Sequence, residues 1–247
     1  MAKVFIKGKI PKRIGDYLLY PLQGEMIIRE KSGFTSEGVK YDPKYELTRK
    51  NASEFGRVSS LCKMMRLALN GILPKKNGRV VTNCLAKQMK FILSLDRDSV
   101  RGERQLWKAF LNEEAKELMT GYAFNPHGIL PQVLNEGLSL AASGNLVLSG
   151  VRVADVISFP DGSDSMGIRL HHLYFDFTDG MSQLCSSDWL FLKDDSRIKN
   201  FLLPCSFPEK SIGIRFSILE IRFYASAHGG FVSSAGGTNI VHVLRVV

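Results

Sequence analysis

The spacing of apolar residues changes near residue 120 of this 247-residue chain, and that change limits the folds open to it. Between residues 51 and 118, apolar residues recur at steps of three and four, which is the period of one face of an amphipathic helix. The clearest series is Phe55, Val58, Cys62, Met65, Leu69 and Ile72. After residue 121, short alternating runs are separated by Gly, Pro, Asp and Ser, as is typical of strands. A helical part followed by a β part is therefore predicted.

The first part is predicted to hold an N-terminal β-hairpin and about three amphipathic helices. The hairpin is expected to use short strands near residues 4–10, 17–20 and 25–29. The first helix is predicted to begin at an Asn51 N-cap, with Glu54 as the acid three residues on. The second helix is predicted to start after Thr82, and the third to cover residues 103–118, with Leu111 among its inward-facing residues.

The second part is predicted to be an antiparallel β-sandwich, Ig-like or jelly-roll-like, of about seven strands. The fold class is thus α+β, with a basic hairpin-plus-helical domain at 1–120 and a β-sandwich domain at 121–247. A slip in the apolar alternation near Leu219 predicts a bulge there. The candidate strands cover residues 145–148, 151–157, 168–177, 189–192, 201–207, 212–224, 230–233 and 240–247.

Composition and termini predict a cytoplasmic protein that needs no disulfide staples. The chain is 45% hydrophobic and 23% charged, which is ordinary globular composition. The apolar run at the N-terminus is too short for a signal peptide, and no stretch approaches the roughly 18 apolar residues of a membrane span. Four cysteines, Cys62, Cys84, Cys185 and Cys205, lie among apolar neighbours without C-x-x-C spacing, so they are expected to be small buried hydrophobes.

Charge is the feature with the strongest functional implication. Residues 1–108 carry 23 Lys and Arg against 10 Asp and Glu, whereas residues 109–247 carry 10 against 14. A basic surface of this kind binds either a polyanion or the acidic surface of another copy, and the sequence leaves both open. The nearby aromatic residues are expected to belong to the core. The predicted polyanion or subunit contacts are Arg49, Lys50, Arg57, Lys63, Arg66, Lys75, Lys76, Arg79, Lys87 and Lys90.

No catalytic, cofactor-binding or metal-binding residues are assigned. The sequence has no phosphate-binding loop, no dinucleotide fingerprint, no zinc-protease motif and no nucleophile elbow. His171 and His172 are adjacent, and on a strand they point to opposite faces. His172, Tyr174 and Asp176 share one face, which is expected to be solvent-exposed.

Several motifs in the first half resemble a family of uncharacterised proteins from Bacteroidetes, particularly flavobacteria. The similarity covers roughly residues 5–125, and the opening is also loosely similar to small proteins of phages and mobile elements. The members of this family are hypothetical proteins, so the resemblance implies no activity. The residues that carry the resemblance are Ile14-Gly15-Asp16-Tyr17, Ile28-Arg29-Glu30-Lys31-Ser32-Gly33, Thr48-Arg49-Lys50-Asn51-Ala52-Ser53-Glu54-Phe55-Gly56-Arg57 and Arg101-Gly102-Glu103-Arg104.

Two functions are favoured at this point, and an enzyme is a third alternative that would need a cleft between the halves with convergent polar groups. The first is a non-enzymatic structural protein that self-associates into an oligomer, filament or shell, with copies of itself as partners. The alternative is a nucleic-acid-binding protein that uses the basic helical face of residues 49–90 on DNA or RNA. Neither requires a cofactor, and no membrane partner is expected.

Overall fold

A computed structural model gives the architecture of the chain. The predicted first strand, residues 4–10, and the basic residues Lys75 and Lys76 lie outside the residues that it describes. Those residues are 12–22, 24–30, 35–74, 78–125, 137–156, 159–193, 195–208, 213–227, 230–233 and 239–247.

The chain divides into two compact units, and the first extends to Ala52. Its strands β1 (Arg13–Ile14), β2 (Tyr17–Leu22) and β3 (Glu25–Glu30) form an antiparallel sheet in chain order, close to the predicted hairpin. A short helix α1 (Ser36–Tyr41) and a 3-10 turn (Pro43–Tyr45) follow. They lead into helix α2 (Glu46–Ala68), which begins ahead of the predicted Asn51 cap.

The second unit, Ser53–Val247, contains the remaining helices. After α2 come α3 (Gly78–Leu93), α4 (Leu106–Ala109) and α5 (Glu113–Met119). The predicted third helix is therefore two short ones, because α4 ends at Phe110 and Asn112 caps a new helix by accepting the Glu114 N–H. The break turns Leu111 outward, so the expectation that this side chain faces the core is wrong.

Two antiparallel sheets lie in the described part of the second unit. Their strands are β4 (Leu138–Leu140), β5 (Leu146–Arg152), β6 (Ser165–Phe175), β7 (Ser182–Ser186), β8 (Leu190–Lys193), β9 (Arg197–Leu203), β10 (Ile214–Ala227), β11 (Gly230–Ser233) and β12 (Ile240–Val246). The larger sheet has the order β11-β10-β6-β7, with β12 also pairing β10 and β8 also pairing β6. The smaller sheet has the order β4-β5-β9.

The larger sheet is covered on both faces. On β6, Met166, Ile168 and Leu170 pack into one hydrophobic cluster together with residues of the smaller sheet. Leu173 and Phe175 belong to the other cluster, which they share with the helices. The Phe110 ring that follows α4 stacks on Phe177 at 4.7 Å between centroids. Helices and sheet thus share one core, and the predicted boundary between residues 120 and 121 falls inside the second unit.

The fold class is α+β with packed antiparallel sheets, as predicted. The strand predicted at 151–157 is wrong beyond residue 152, because a short helix α6 (Val153–Val156) follows β5 directly. Strands β4 and β7 were not predicted. The bulge expected near Leu219 lies between Ser217 and Ile218, in the pairing of β10 with β12. Among the described residues, no helix is long and apolar enough to cross a membrane.

Candidate functional site

Helices α2 and α3 form an antiparallel pair in the second unit. The Nζ atom of Lys90, near the end of α3, lies 5.9 Å from the ring centroid of Phe55 on α2. Residues 53–74 and 78–93, which comprise this part of α2, the turn that follows it and α3, are called the basic hairpin below. Its inner side belongs to the core shared with the sheet: Val58, Cys62, Met65, Leu69, Leu85, Met89, Ile92 and Leu93 are buried.

The outer side of α3 carries a row of exposed residues, two of which are cationic. Arg79, Asn83, Lys87 and Phe91 recur every fourth residue, which places them along one side of the helix. All four side chains are exposed, and so is Lys90, which lies next to this row. These five residues are called the α3 stripe. They lie opposite the buried stripe of α3, so their polar groups are directed towards solvent.

A groove of about 360 Å³ lies where α2 ends and α3 begins. Lys63, Arg66 and Asn70 of the α2 segment line it, together with Gly78 and Val81 of α3. The Nε atom of Arg66 is buried and has no hydrogen-bond partner within the described part of the chain. A buried donor without a partner is costly, and an anion seated in the groove would supply the missing acceptor.

No acidic residue compensates for these cations along the chain. Between residues 55 and 95 the sequence contains eight Lys and Arg and no Asp or Glu. Glu54, directly before this stretch, is buried, and its Oε1 accepts the Gly102 N–H at 2.6 Å. Glu54 therefore holds a loop and does not cap a helix, which corrects the predicted capping box. The basic hairpin presents a field of one sign, as surfaces that bind polyanions do.

The predicted contact residues do not all lie on this surface. Arg49 belongs to the first unit and donates to the carbonyl oxygens of Val39 and Asp42 at 2.9 and 3.0 Å. Lys50 pairs with Glu46 at 2.7 Å. Arg57 is also engaged internally, with the Gly102 carbonyl at 2.5 Å. Among the described residues, Lys63 and Arg66 line the groove, and Arg79, Lys87 and Lys90 are exposed on α3.

Two exposed aromatic rings accompany the cations, and the sequence did not indicate them. Phe55 is 51% exposed, so its predicted place in the core is wrong, and Phe91 is 56% exposed. The helical period places Phe55 on the apolar stripe of α2, but its side chain is exposed whereas Val58 further along the stripe is buried. Exposed rings among Lys and Arg are the groups on which unpaired bases stack.

Several acidic residues after residue 108 are engaged locally. Asp176 accepts the Thr178 N–H at 2.7 Å, and Asp179 accepts the Met181 N–H at 2.8 Å. Glu113 pairs with Lys116 at 2.6 Å on α5. Each of these three carboxylates thus has a local partner.

The adjacent histidines point to opposite faces of β6, as predicted, but both are buried. The His171 ring contacts Ser186 Oγ at 2.7 Å through Nδ1 and Glu220 Oε2 at 2.9 Å through Nε2. His172 contacts Ser217 Oγ at 3.1 Å and the Gly144 carbonyl oxygen at 3.0 Å. The expectation that His172 lies on a solvent face is wrong, because the smaller sheet covers that face of β6.

The cysteines are thiols rather than disulfides. Cys62 and Cys205 are buried, whereas Cys84 and Cys185 are partly exposed. Burial raises the pKa of the Cys62 thiol to about 12 and that of Cys205 to about 11. These two side chains therefore stay protonated at neutral pH and act as small apolar groups, which agrees with the sequence prediction for them.

Comparison with known proteins gives no assignment for this arrangement. No family model matches the sequence, no curated protein matches it, and no solved structure matches the fold. The functional assignment depends on the geometry and charge of the basic hairpin.

Proposed function

We propose that this protein binds nucleic acid through the basic hairpin, with a preference for single-stranded segments. The supporting observation is the absence of any acid between residues 55 and 95, where eight basic residues occur. Phosphates bind such a surface by releasing condensed counterions, and this gain does not depend on base sequence.

The exposed rings favour single strands over duplex. Phe55 and Phe91 lie beside Lys90 and the rest of the α3 stripe. Bases in a duplex are already stacked on each other, whereas unpaired bases stack on aromatic side chains with about 1–3 kcal/mol per base. The groove at Lys63 and Arg66 offers a second phosphate contact at the other end of the hairpin.

The test is fluorescence anisotropy with a labelled single-stranded oligothymidylate over a salt series. The logarithm of the association constant is expected to fall linearly with the logarithm of the salt concentration, and the slope reports the number of phosphate contacts. The variant that combines Arg79→Gln, Lys87→Gln and Lys90→Gln is expected to reduce the slope by about 2, since each lost phosphate contact removes about 0.7 for a single strand. Phe91→Ala is expected to weaken binding without a change in slope.

A matched control removes the same charge elsewhere. Lys193, Arg197 and Lys199 are exposed residues of β8 and β9, which are not part of the basic hairpin. Replacing all three by Gln changes the net charge equally and is expected to leave most of the affinity intact. Equal losses in the two triple variants, or no binding by the wild type at low salt, would refute the proposal.

Self-association is a second proposal, supported by a separate observation. Strand β9 is an edge of the smaller sheet among the described strands, and it exposes Phe201 and Leu202. An unpaired strand edge with apolar side chains is a template for pairing with another chain. Light scattering is expected to show an oligomer that Leu202→Lys converts to a monomer. A wild-type monomer at every concentration would exclude it.

A further inference from the structure

A second cavity, of about 430 Å³, lies on the second unit away from the groove of the basic hairpin. Four parts of the chain line it: residues 56–64 of α2, Leu93 at the end of α3, residues 104–106 at the start of α4, and the turn 177–179. We call it the arginine cleft, because Arg57 and Arg104 line it. Its volume lies within the range of sites for small organic ligands.

The walls of the arginine cleft are held together by hydrogen bonds between segments far apart in sequence. Arg57 donates to the carbonyl oxygens of Gly102 and Arg104 at 2.5 and 3.3 Å. On the other side of the loop, the Asp96 carboxylate accepts the N–H groups of Ser99 and Gln105 at 3.1 and 2.9 Å. The backbone on both sides of Arg104 is therefore held in place by hydrogen bonds within the chain.

The cleft lacks an anion to match its arginines. Within the described residues, neither Arg57 nor Arg104 forms an ion pair, and the buried Nε atom of Arg104 has no hydrogen-bond partner. One acid, Asp179, lines the cleft; it is exposed and already accepts the Met181 N–H. A guanidinium with a buried, unused donor is a ready partner for a carboxylate, phosphate or sulfonate.

The remaining lining is mostly apolar. Val58 and Leu106 are fully buried side chains at the cleft wall, and the ring of Phe177 is 4% exposed. Gly56 also lines the cleft, and a Cβ atom built there meets no atom within 4 Å. Free space over an apolar surface, next to two guanidinium groups, fits a ligand that has an apolar part and one charged group.

We propose that the arginine cleft binds a small organic anion, namely an aromatic body that carries one phosphate, sulfonate or carboxylate. The anionic group binds Arg104, whose buried Nε has no partner among the described residues, and the aromatic body covers the apolar wall, while Arg57 holds the loop in place. This site shares no lining residue with the groove at Lys63 and Arg66 or with the α3 stripe, so the two proposals can be tested separately.

The experiment is isothermal titration calorimetry of the full chain with three probes: 1-naphthyl phosphate, 1-naphthol and inorganic phosphate. The first combines both recognised features, and each of the others has only one. 1-Naphthyl phosphate is expected to bind at least about tenfold tighter than either control probe, because a hydrogen bond to a charged group contributes that much. Equal affinities for 1-naphthyl phosphate and 1-naphthol would overturn the proposal.

Two variants locate the binding. Gly56→Phe fills the open space of the cleft and is expected to abolish binding, whereas Gly56→Ala retains it. Arg104→Gln does not alter α2, so it tests the site even if Gly56→Phe fails to fold. It is expected to reduce the affinity for 1-naphthyl phosphate to that for 1-naphthol. Undiminished binding by Arg104→Gln would refute the site. The triple α3 variant, by contrast, is expected to bind 1-naphthyl phosphate normally.

Discussion

The guanidinium of Arg222 donates a hydrogen bond to the carbonyl oxygen of Gly71, at 2.6 Å, and so ties β10 to the turn between α2 and α3. The same side chain donates to Glu220 Oε1 at 2.6 Å and lies 5.2 Å from the ring centroid of Trp189. The second oxygen of Glu220 contacts His171 Nε2. One buried carboxylate thus orients the arginine that fixes the basic hairpin on the sheet.

Replacing Arg222 by Gln is expected to destabilise the second unit by about 2 kcal/mol or more. The change leaves the Glu220 carboxylate, which is 1% exposed, without its cation. Breaking a fully buried pair costs about 3–5 kcal/mol, and the partial exposure of Arg222 lowers the expected value. Urea unfolding measures it. The double variant Arg222→Gln/Glu220→Gln removes the stranded charge, so it should be more stable than the single one; the reverse order would contradict this.

His172 makes stability depend on pH. Burial lowers the pKa of His172 to about 4, even though its hydrogen bond to the Gly144 carbonyl acts in the opposite direction. The unfolded chain has a histidine pKa near 6.5 and takes up the proton first as the pH falls. The contribution of the neutral His172 ring to the free energy of unfolding is therefore fully present above about pH 6.5. This contribution, up to about 3 kcal/mol, is lost between about pH 6.5 and pH 4.

Urea unfolding of the wild type and His172→Gln at neutral and mildly acidic pH checks this expectation. The variant lacks the titrating ring, so its stability should fall less over this interval. An identical fall in both proteins would show that other groups cause it.

Asp96 is expected to hold the loop that forms one wall of the arginine cleft. Burial alone would raise the pKa of Asp96, but hydrogen bonds from Gln105 and Ser99, together with the Lys108 ammonium, outweigh it and lower the pKa. The stabilisation is present above the ordinary pKa of the carboxyl, near 3.9, and is lost as the pH falls through the lowered value.

Asp96→Asn is expected to lower the free energy of unfolding by about 1–3 kcal/mol, because one buried backbone N–H loses its charged acceptor. Hydrogen exchange at the Gln105 amide should accelerate at the same time. Asp98→Asn is the matched control, since Asp98 is exposed and neighbours the same loop. If both variants behave alike, Asp96 has no such role.

Gly56→Ala is expected to stabilise the chain by up to about 1 kcal/mol. Gly56 lies inside α2, and an added methyl group meets no atom within 4 Å. Alanine restricts the unfolded chain and favours the helix over glycine. Thermal unfolding should show a higher midpoint. Gly180→Ala is the contrasting variant. The φ of +80° at Gly180 and the adjacent Met64 side chain predict a lower midpoint of thermal unfolding for it. A lower midpoint for Gly56→Ala would contradict the open space seen at the cleft.

Helical periodicity predicted the inner faces of the basic hairpin because burial of one stripe is a local property of a helix. Val58, Cys62, Met65 and Leu69 are buried as predicted. Phe55 follows the same period and is exposed, because whether a stripe is covered along its full length depends on neighbours distant in the sequence. The prediction that His172 and Tyr174 lie on a solvent-exposed face was wrong for the same reason. The alternation of residues along β6 does not show that a second sheet covers this face.

The arginine cleft could not be predicted from local patterns. Residues 54–57 and 101–104 both lie in the stretch that carries the family resemblance, yet nothing in their spacing indicates that they touch. Their contacts join side chains to backbone groups, as with Arg57 and the Gly102 carbonyl. Any residue supplies a carbonyl oxygen, so such pairs leave no signature in the amino-acid order.

Because helices and sheet share their apolar interior, the second unit should melt as one thermodynamic body. Phe110 after α4 and Phe216 on β10 lie 5.9 Å apart between ring centroids, so neither layer can open without exposing the other. Any compound that occupies the helical side would raise the melting temperature of the strands as well. A single calorimetric peak that moves as a whole on ligand addition would be the outward sign of this cooperativity.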